Sequence, residues 1–474
     1  MNNLLGRKAR TCDARDEAID ENGTPSVRFE DLPMDVLYTI MSKLPPKEFA
    51  RNNILSSKLR CMWPVCPRLT FDRVQVCKSC NCSSWHQHTG KFIHEVNAVL
   101  QKHHGKVIET FEVKIALVDS LLLVPHLNNW VDFALSARTK NLTLDLKPIW
   151  RCWNYIDRYV FPFERLDNAN ITHLQHMQLS FVTLKPPSQY RGFPNLRKLH
   201  LQLVNASTKD IGHVLSHCCN LEWLYIDRCN VNDELVVNGP LPHLLYLFID
   251  RCELTKVEFH AVNLATFGYD GHLLPNISLR QSLKLQSAMI KLDDGVFHHV
   301  LISLLKGLPN VQNLTLRIGC LCLEKQWLLD NPLKFSCLKH LQLFMFVHER
   351  DVENILCSVS ILRSSPFIED LEIHFAGKHW FADEGPYRKD FGQRKYEYLK
   401  NMWITGFKGA RGQLELLLHV VENAPALEVL TVDTHAVFTE HWPKDFEPPF
   451  EKVKRMAITS LSTIIPQTVN LYVI

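Results

Sequence analysis

The densest run of metal-ligating side chains in this sequence is Cys77-x-x-Cys80-x-Cys82, followed by His86 and His88. Thiolate and imidazole are the donors that tetrahedral zinc prefers, and Cys-x-x-Cys is a common half-site. The second half departs from that pattern. Only three residues separate Cys82 from the His-x-His pair, a spacing unlike a standard finger, and the surrounding stretch is polar. Cys77, Cys80, Cys82 and His86 are therefore a weak metal candidate, and the segment is expected to be a reduced loop. His103-His104 follow Phe92, Val96 and Leu100, whose spacing places the pair near the end of a helix rather than in a catalytic constellation. No glycine-rich phosphate loop, nucleophile elbow or paired-carboxylate motif occurs, and glycine is scarce, 18 in 474 residues. The expectation is a chain with no catalytic residue and no cofactor.

Composition narrows the classes further. Hydrophobic residues make up 46% and charged residues 22%, as in a folded protein with a large core. A net charge of +3 gives no global pull toward nucleic acid or a membrane surface. Residues 1–27 are polar and lack the apolar stretch of a secretory signal. No run approaches the roughly 20 apolar residues of a membrane helix. The 15 cysteines are then expected as reduced thiols in the cytoplasm or nucleus, with neither nucleic acid nor membrane as a partner.

The organising feature is a repeat: apolar, two free positions, apolar, one free position, apolar. It fits Leu174-Met177-Leu179, Leu196-Leu199-Leu201, Leu221-Leu224-Ile226, Leu244-Leu247-Ile249, Leu264-Phe267-Tyr269, Val311-Leu314-Leu316 and Leu338-Leu341-Leu343. Ile368-Leu371-Ile373, Leu399-Met402-Ile404 and Leu427-Leu430-Val432 continue it. The steps run from 20 to 31 residues, except for one gap of 47 that a degenerate unit at Leu285, Ala288 and Ile290 divides. Leu142 and Leu144 form an earlier partial match. The last two apolar positions of each unit are two apart, the period of a strand with one face on a core. Val214, Leu215, Leu418, Val420 and Val421 fall in the longer return segments, expected to be helical in several units. One such unit cannot bury its own apolar face, so the units must stack.

Two units carry more. Ile226-Asp227-Arg228-Cys229 recurs as Ile249-Asp250-Arg251-Cys252. With Leu221, Leu224 and Val231, and with Leu244, Leu247 and Leu254, these segments resemble the leucine-rich repeat family, whose consensus is L-x-x-L-x-L-x-x-N/C-x-L. The two cysteines stand at its Asn/Cys position, where a small buried side chain is expected to turn the chain out of the strand.

Residues 29–72 differ in kind. Val36, Leu37, Ile40, Met41 and Leu44 recur at helical spacing, and Pro33 suits a first turn. Pro45-Pro46 stop that helix, and Phe49 through Trp63 supply a second apolar set. The segment resembles an F-box on Leu32-Pro33, Val36-Leu37, Leu44-Pro45, Leu55-Ser56 and Arg60-x-x-Trp63, with Leu59 where relatives usually carry Trp. Ser364–Ile373 and Leu399–Asp433 resemble the distal repeats of plant F-box proteins with leucine-rich repeats and an FBD-type region. The resemblance implies an α/β fold, with a small all-α F-box module leading into a curved leucine-rich-repeat solenoid of parallel strands. It also implies docking on a Skp adaptor, and through it a cullin. Leu32, Pro33, Val36, Leu37, Ile40, Leu44, Pro45, Ile54, Leu55, Leu59 and Trp63 would be the contact set. The implied role is the substrate receptor of a ubiquitin ligase, holding an unknown protein target. A binding scaffold with a drifted F-box is the alternative.

The expected organisation is a disordered tail at 1–27, the F-box at 28–72, and a link with a Cys/His loop and helix at 73–106. The solenoid follows at 107–380, FBD-like terminal repeats at 381–440 and a tail or cap at 441–474. Alternation turns the residues between the apolar strand positions to the opposite, open face. On two adjacent units these are Trp223 and Tyr225, then Tyr246 and Phe248, bordered in register by Asp227, Asp250 and Asp270. These four aromatics are the candidate substrate contacts.

Overall fold

The computed structural model describes residues 67–72, 82–103, 107–117, 120–148, 157–166, 171–231, 233–280, 282–322, 333–346, 355–376, 394–435 and 465–474, with isolated positions at 32, 33, 36 and between 454 and 462. Among these, fifteen strands form one sheet, and every joined pair is parallel. It opens with Arg68–Asp72 and Thr110–Lys114 and continues through Asn141–Asp145, His176–Ser180, Lys198–Gln202, Trp223–Asp227, Tyr246–Asp250 and Thr266–Gly271. Ser287–Val296, Asn313–Cys322, His340–Phe346, Asp370–Ala376, Asn401–Thr405, Val429–Val432 and Asn470–Val473 complete it. This is the expected leucine-rich-repeat solenoid. Every unit of the repeat lies on one of these strands, including the degenerate one, where Ala288 and Ile290 are buried. The apolar positions of successive units fuse into one continuous core. A fully buried Leu or Ile contributes roughly 1.5–3 kcal/mol, so stacking supplies the stability that a single unit lacks.

Unit length decides the return path. Units starting at Leu221, Leu244 and Leu264 are 20 to 23 residues long. They return through strands Asp233–Pro240, Leu254–His260 and Asn276–Arg280, which pair into a second, three-stranded parallel sheet. Units starting at Leu196, Leu285, Leu338 and Leu399 are 25 to 30 residues long. Their returns contain helices Thr208–Ser216, Phe297–Gly307, Cys357–Arg363 and Arg411–Asn423. A helix advances about 1.5 Å per residue and a strand about 3.3 Å, so spanning the same distance as a helix takes more chain. Val214 and Leu215 are buried on the first of these helices and Val420 on the last.

Turns out of the strands repeat as well. Phe181, Leu203, Arg228, Arg251 and Gly406 each follow the fifth strand position, and each has a positive φ. A left-handed residue other than glycine costs about 1–2 kcal/mol. Here the conformation aims the amide at the next strand. The N–H groups of Phe181, Leu203, Arg228 and Arg251 donate to the carbonyls of Gln202, Asp227, Asp250 and Asp270 at 2.9, 2.8, 2.7 and 2.6 Å. At Gly406 space matters too, because a Cβ there would lie 2.2 Å from the Phe375 carbonyl oxygen. The expected turning role of the cysteines has a specific form. Val204 N–H donates to Cys229 Sγ at 3.4 Å, and Cys229 N–H donates to Cys252 Sγ at 3.3 Å. Asparagines before the first leucine of a unit tie units together at the other end. Asn195, Asn220 and Asn263 donate to the carbonyls of Thr172, Pro194 and Pro242 at 2.7, 2.7 and 2.6 Å.

Three expectations about boundaries need revision. Cys82–Lys102 is a helix, so Cys82, His86 and His88 do not lie in a loop. Among the described residues the sheet begins at Arg68 rather than near residue 107, because Arg68–Asp72, inside the range assigned to the front module, pairs with Thr110–Lys114. At the other end Asn470–Val473 pairs with Val429–Val432, so the last residues are a strand of the same sheet. The FBD-like strands Asn401–Thr405 and Val429–Val432 also continue that sheet, joined to Asp370–Ala376. Residues 1–27 lie outside the described set. Among the described residues no helix is long and apolar enough to cross a membrane.

Candidate protein-binding face

Strand register brings the four expected aromatics together. Trp223 pairs with Tyr246 and Tyr225 with Phe248 across neighbouring parallel strands. The indole of Trp223 and the ring of Tyr246 stack with centroids 5.6 Å apart and planes 6° from parallel. Tyr225 and Phe248 lie 5.3 Å apart, Trp223 and Tyr225 5.7 Å, and Tyr246 and Phe248 6.4 Å. Trp223, Tyr225 and Tyr246 are half-buried, while Phe248 is 9% exposed. Phe248 sinks because the next strand offers Gly268 at the same register position. A Cβ on Gly268 would stand 2.0 Å from the Phe248 ring.

Two contributors escaped the sequence reading. His200 occupies the register position of Tyr225 one strand earlier, and its ring meets Tyr225 edge-on at 4.8 Å. Burial lowers its imidazole below the ordinary range, which favours the neutral form. Its signal was present, since it lies between Leu199 and Leu201 of a recognised unit. Gln202 donates its side-chain amide to Asp227. Beside Trp223 the face dips into a groove of about 220 Å³ lined by Asn141, Thr143, His176, Gln178, Lys198 and His200.

Asp227, Asp250 and Asp270 stand in register along one border of the platform, as expected. Tyr225 Oη donates to Asp250 Oδ2 at 2.7 Å. Burial, and then this bond, push the Tyr225 phenol up. Burial and the charge of Asp250 raise the Asp270 carboxyl.

A second network occupies the same face further along. His374 stacks on Phe344 at 4.5 Å and meets Trp403 edge-on at 6.0 Å. Glu372 lies 3.2 Å from His340 Nε2 and 3.4 Å from His374 Nε2, and accepts from Gln342 at 2.8 Å. Burial lowers the His374 imidazole.

Of the expected adaptor contacts, three are described. Val36 is helical and 38% exposed, Pro33 is exposed, and Leu32 is partly buried against the core. Leu37, Ile40, Leu44, Pro45, Ile54, Leu55, Leu59 and Trp63 lie outside the described residues, as do Cys77 and Cys80 of the metal candidate. Cys82 and His86 are four apart on one helix. Among the described residues no group of three or more His, Cys, Asp or Glu is arranged to hold a metal ion. His103 directly follows that helix, buried, with its ring edge-on to Phe133 at 5.8 Å.

Comparison with known proteins adds to this geometry. A family model described as "At1g61320/AtMIF1, LRR domain" matches residues 99–464. The F-box/FBD/LRR-repeat protein At1g13570 of Arabidopsis thaliana is 23% identical over 414 residues, covering 85% of this chain and 90% of that protein. The F-box/FBD/LRR-repeat protein At4g26340 of the same plant is 23% identical over 419 residues, 84% and 91% of the two chains. A third, F-box/FBD/LRR-repeat protein At2g04230, is 23% identical over 449 residues, 91% and 94%.

Proposed function

The chain belongs to the leucine-rich-repeat domain family whose pattern spans residues 99–464, and from that premise we propose that it is the substrate-recognition subunit of a Skp–cullin–F-box ubiquitin ligase. The observation that carries the reading is a stacked aromatic platform on the open face of a solenoid, in a chain whose front matches the F-box pattern. Relatives that align over most of their length carry F-box, FBD and LRR in their names, which supports the same assignment.

In this reading the apolar positions from Leu32 to Trp63 dock on the Skp adaptor and connect the chain to a cullin. A protein target rests on Trp223, Tyr225 and Tyr246, with the sunken Phe248 supporting their rings from below. No residue of the chain makes or breaks a bond. Its contribution is proximity, raising the effective concentration of an acceptor lysine near the charged conjugating enzyme. The working compartment is the cytoplasm or nucleus.

Pull-down with the Skp adaptor tests the assignment. The full chain should retain the adaptor, and Leu32→Ala combined with Pro33→Ala should reduce recovery sharply, because a short apolar interface depends on few anchors. A second reading, a binding scaffold that no longer recruits a ligase, is favoured by Leu59 at the position where the F-box pattern has Trp. Equal adaptor recovery with and without residues 28–66 would select it.

A further inference from the structure

The rim of the sheet, where the chain enters the strands, carries cations that the aromatic platform lacks. Lys140, Gln175, Arg197 and Glu222 immediately precede four strands that neighbour one another in the sheet. Together with His173 and His243 they line a cleft of about 520 Å³. Arg197 is followed by Lys198, which lines the groove of about 220 Å³ beside Trp223 on the open face. Cleft and groove therefore meet at the Arg197–Lys198 step. Lys140, Arg197 and Lys198 are all exposed, so a ligand can reach each of them.

Little on the chain answers these charges. Lys140 and Lys198 have no ion-pair partner among the described residues. Arg197 has Glu222 at 3.5 Å, but the two side chains are 59% and 39% exposed, and ion pairs of that kind are weak. Among the described residues no carboxylate lines the groove. The excess reaches the groove wall. Burial lowers the His176 imidazole, and the charges of Lys198 and Arg197 lower it further, against Glu222.

The spacing suits an extended chain that crosses the strands. Lys140, Gln175 and Arg197 are linked carbonyl to amide along the rim. Neighbouring strands lie about 4.8 Å apart, so Lys140 and Arg197 stand about 10 Å from each other. Three residues of extended chain cover about the same distance. Lys198 pairs in register with Trp223, one strand further on. A segment with carboxylates three residues apart can thus set one on Lys140 and the other between Arg197 and Lys198. Its next residues then reach the Trp223 ring. Asp227, Asp250 and Asp270 border the platform, and Glu222 lies in the cleft. These carboxylates disfavour a polyphosphate, which carries charge at every residue along its path.

We propose that the cleft and groove hold an acidic segment of the target protein, with one carboxylate on Lys140 and another on Arg197 and Lys198, next to the Trp223 ring. The proposal rests on the reading of the open face as the target-binding surface and adds the chemistry of what is bound. Arginine can grip a carboxylate with two parallel N–H groups, whereas lysine acts as a point charge.

Calorimetric titration of the full chain tests this with the capped peptide Gly-Glu-Gly-Gly-Glu-Gly and its glutamine and lysine counterparts. The glutamate peptide should bind at least about tenfold more tightly than the other two and weaken as salt rises. Arg197→Glu with Lys198→Glu should abolish that preference. Lys209→Glu with Lys306→Glu, the same change of charge at exposed positions on two return helices, should retain it. All four positions are exposed, so melting should shift little in either variant. Equal binding of the three peptides, or a preference that survives the Arg197 and Lys198 reversal, would overturn the proposal. Tighter binding of decauridine RNA than of the glutamate peptide would overturn it in favour of nucleic acid. The protein that co-purifies with the unaltered chain separates the two levels. If Trp223→Ala with Tyr246→Ala loses it while the glutamate peptide shows no preference, the face still binds target and the acidic chemistry is wrong. If that variant keeps it, the reading of the face fails, and the proposal with it.

Discussion

Trp223 and Tyr246 face each other from neighbouring strands with their ring planes only 6° from parallel. Such a pair adds about 0.5–1.5 kcal/mol beyond area burial. It also holds two large side chains in one orientation on a half-exposed surface. Replacing both with Ala should lower the melting temperature by only a few degrees, since neither ring belongs to the core. Target capture, by contrast, should fall to background. Thermal melting and co-purification on the same samples check both halves.

Gly268 and Phe248 make a coupled pair. Gly268→Ala places a methyl where the phenyl ring now lies, and overpacking of this kind costs about 1–3 kcal/mol. Adding Phe248→Ala should recover most of that loss. Denaturant titration of both single variants and the double variant would show the non-additivity, and additive losses would mean the ring moves aside freely.

The cysteine row carries a structural hydrogen bond. Cys229→Ala deprives the Val204 N–H of its acceptor in a buried site and should cost about 1–3 kcal/mol. Cys219→Ala, at an exposed site, should stay within about 0.5 kcal/mol. Alkylation offers a second check. Cys219 and Cys337 are exposed, whereas Cys218, Cys229, Cys252 and Cys357 are buried. Burial pushes the Cys218 thiol up to about 12, so it holds little thiolate at neutral pH. Mass spectrometry should find the exposed pair labelled first and the buried four labelled only on unfolding.

His419 sets a pH dependence. Its Nε2 lies 2.8 Å from the buried Tyr396 hydroxyl, and burial lowers its imidazole from 6.5 to about 4. Between those values the unfolded chain binds the proton and the folded chain does not, so stability rises with pH across that window. His419 stabilisation is fully present above pH 6.5 and is lost as pH falls toward 4. The half-buried His200 and the buried His374, lowered for the same reason, act in the same direction. Melting temperature followed from pH 7 to pH 4 should fall, and His419→Gln should flatten the slope. A slope unchanged by His419→Gln would exclude the residue as a source.

The strands were legible because their signal is local. Two apolar residues two apart, preceded by a third, mark an inward-facing strand whatever follows. Even Leu285, Ala288 and Ile290 read correctly, since alanine still fits the buried face. Ile108, Phe111 and Val113 carry the same pattern on Thr110–Lys114 and passed unrecognised. They stand before the regular run of units, across the long return that contains helix Ser120–Ser136. The return segments were harder, because their form depends on how much chain is left after the strand rather than on residue type. At the site, alternation alone placed Trp223, Tyr225, Tyr246 and Phe248 on one face. The hydrogen bonds to Asp227 and Asp250 come from Gln202 and Tyr225 on preceding strands, a relation between units that no single repeat displays.

The alternation of side chains across each strand separates two kinds of evolutionary change. Outward residues can be rewritten unit by unit while the inward spine keeps the stack standing. A duplicated copy of this chain could therefore acquire a new cargo through a handful of outward replacements, with its foldability untouched.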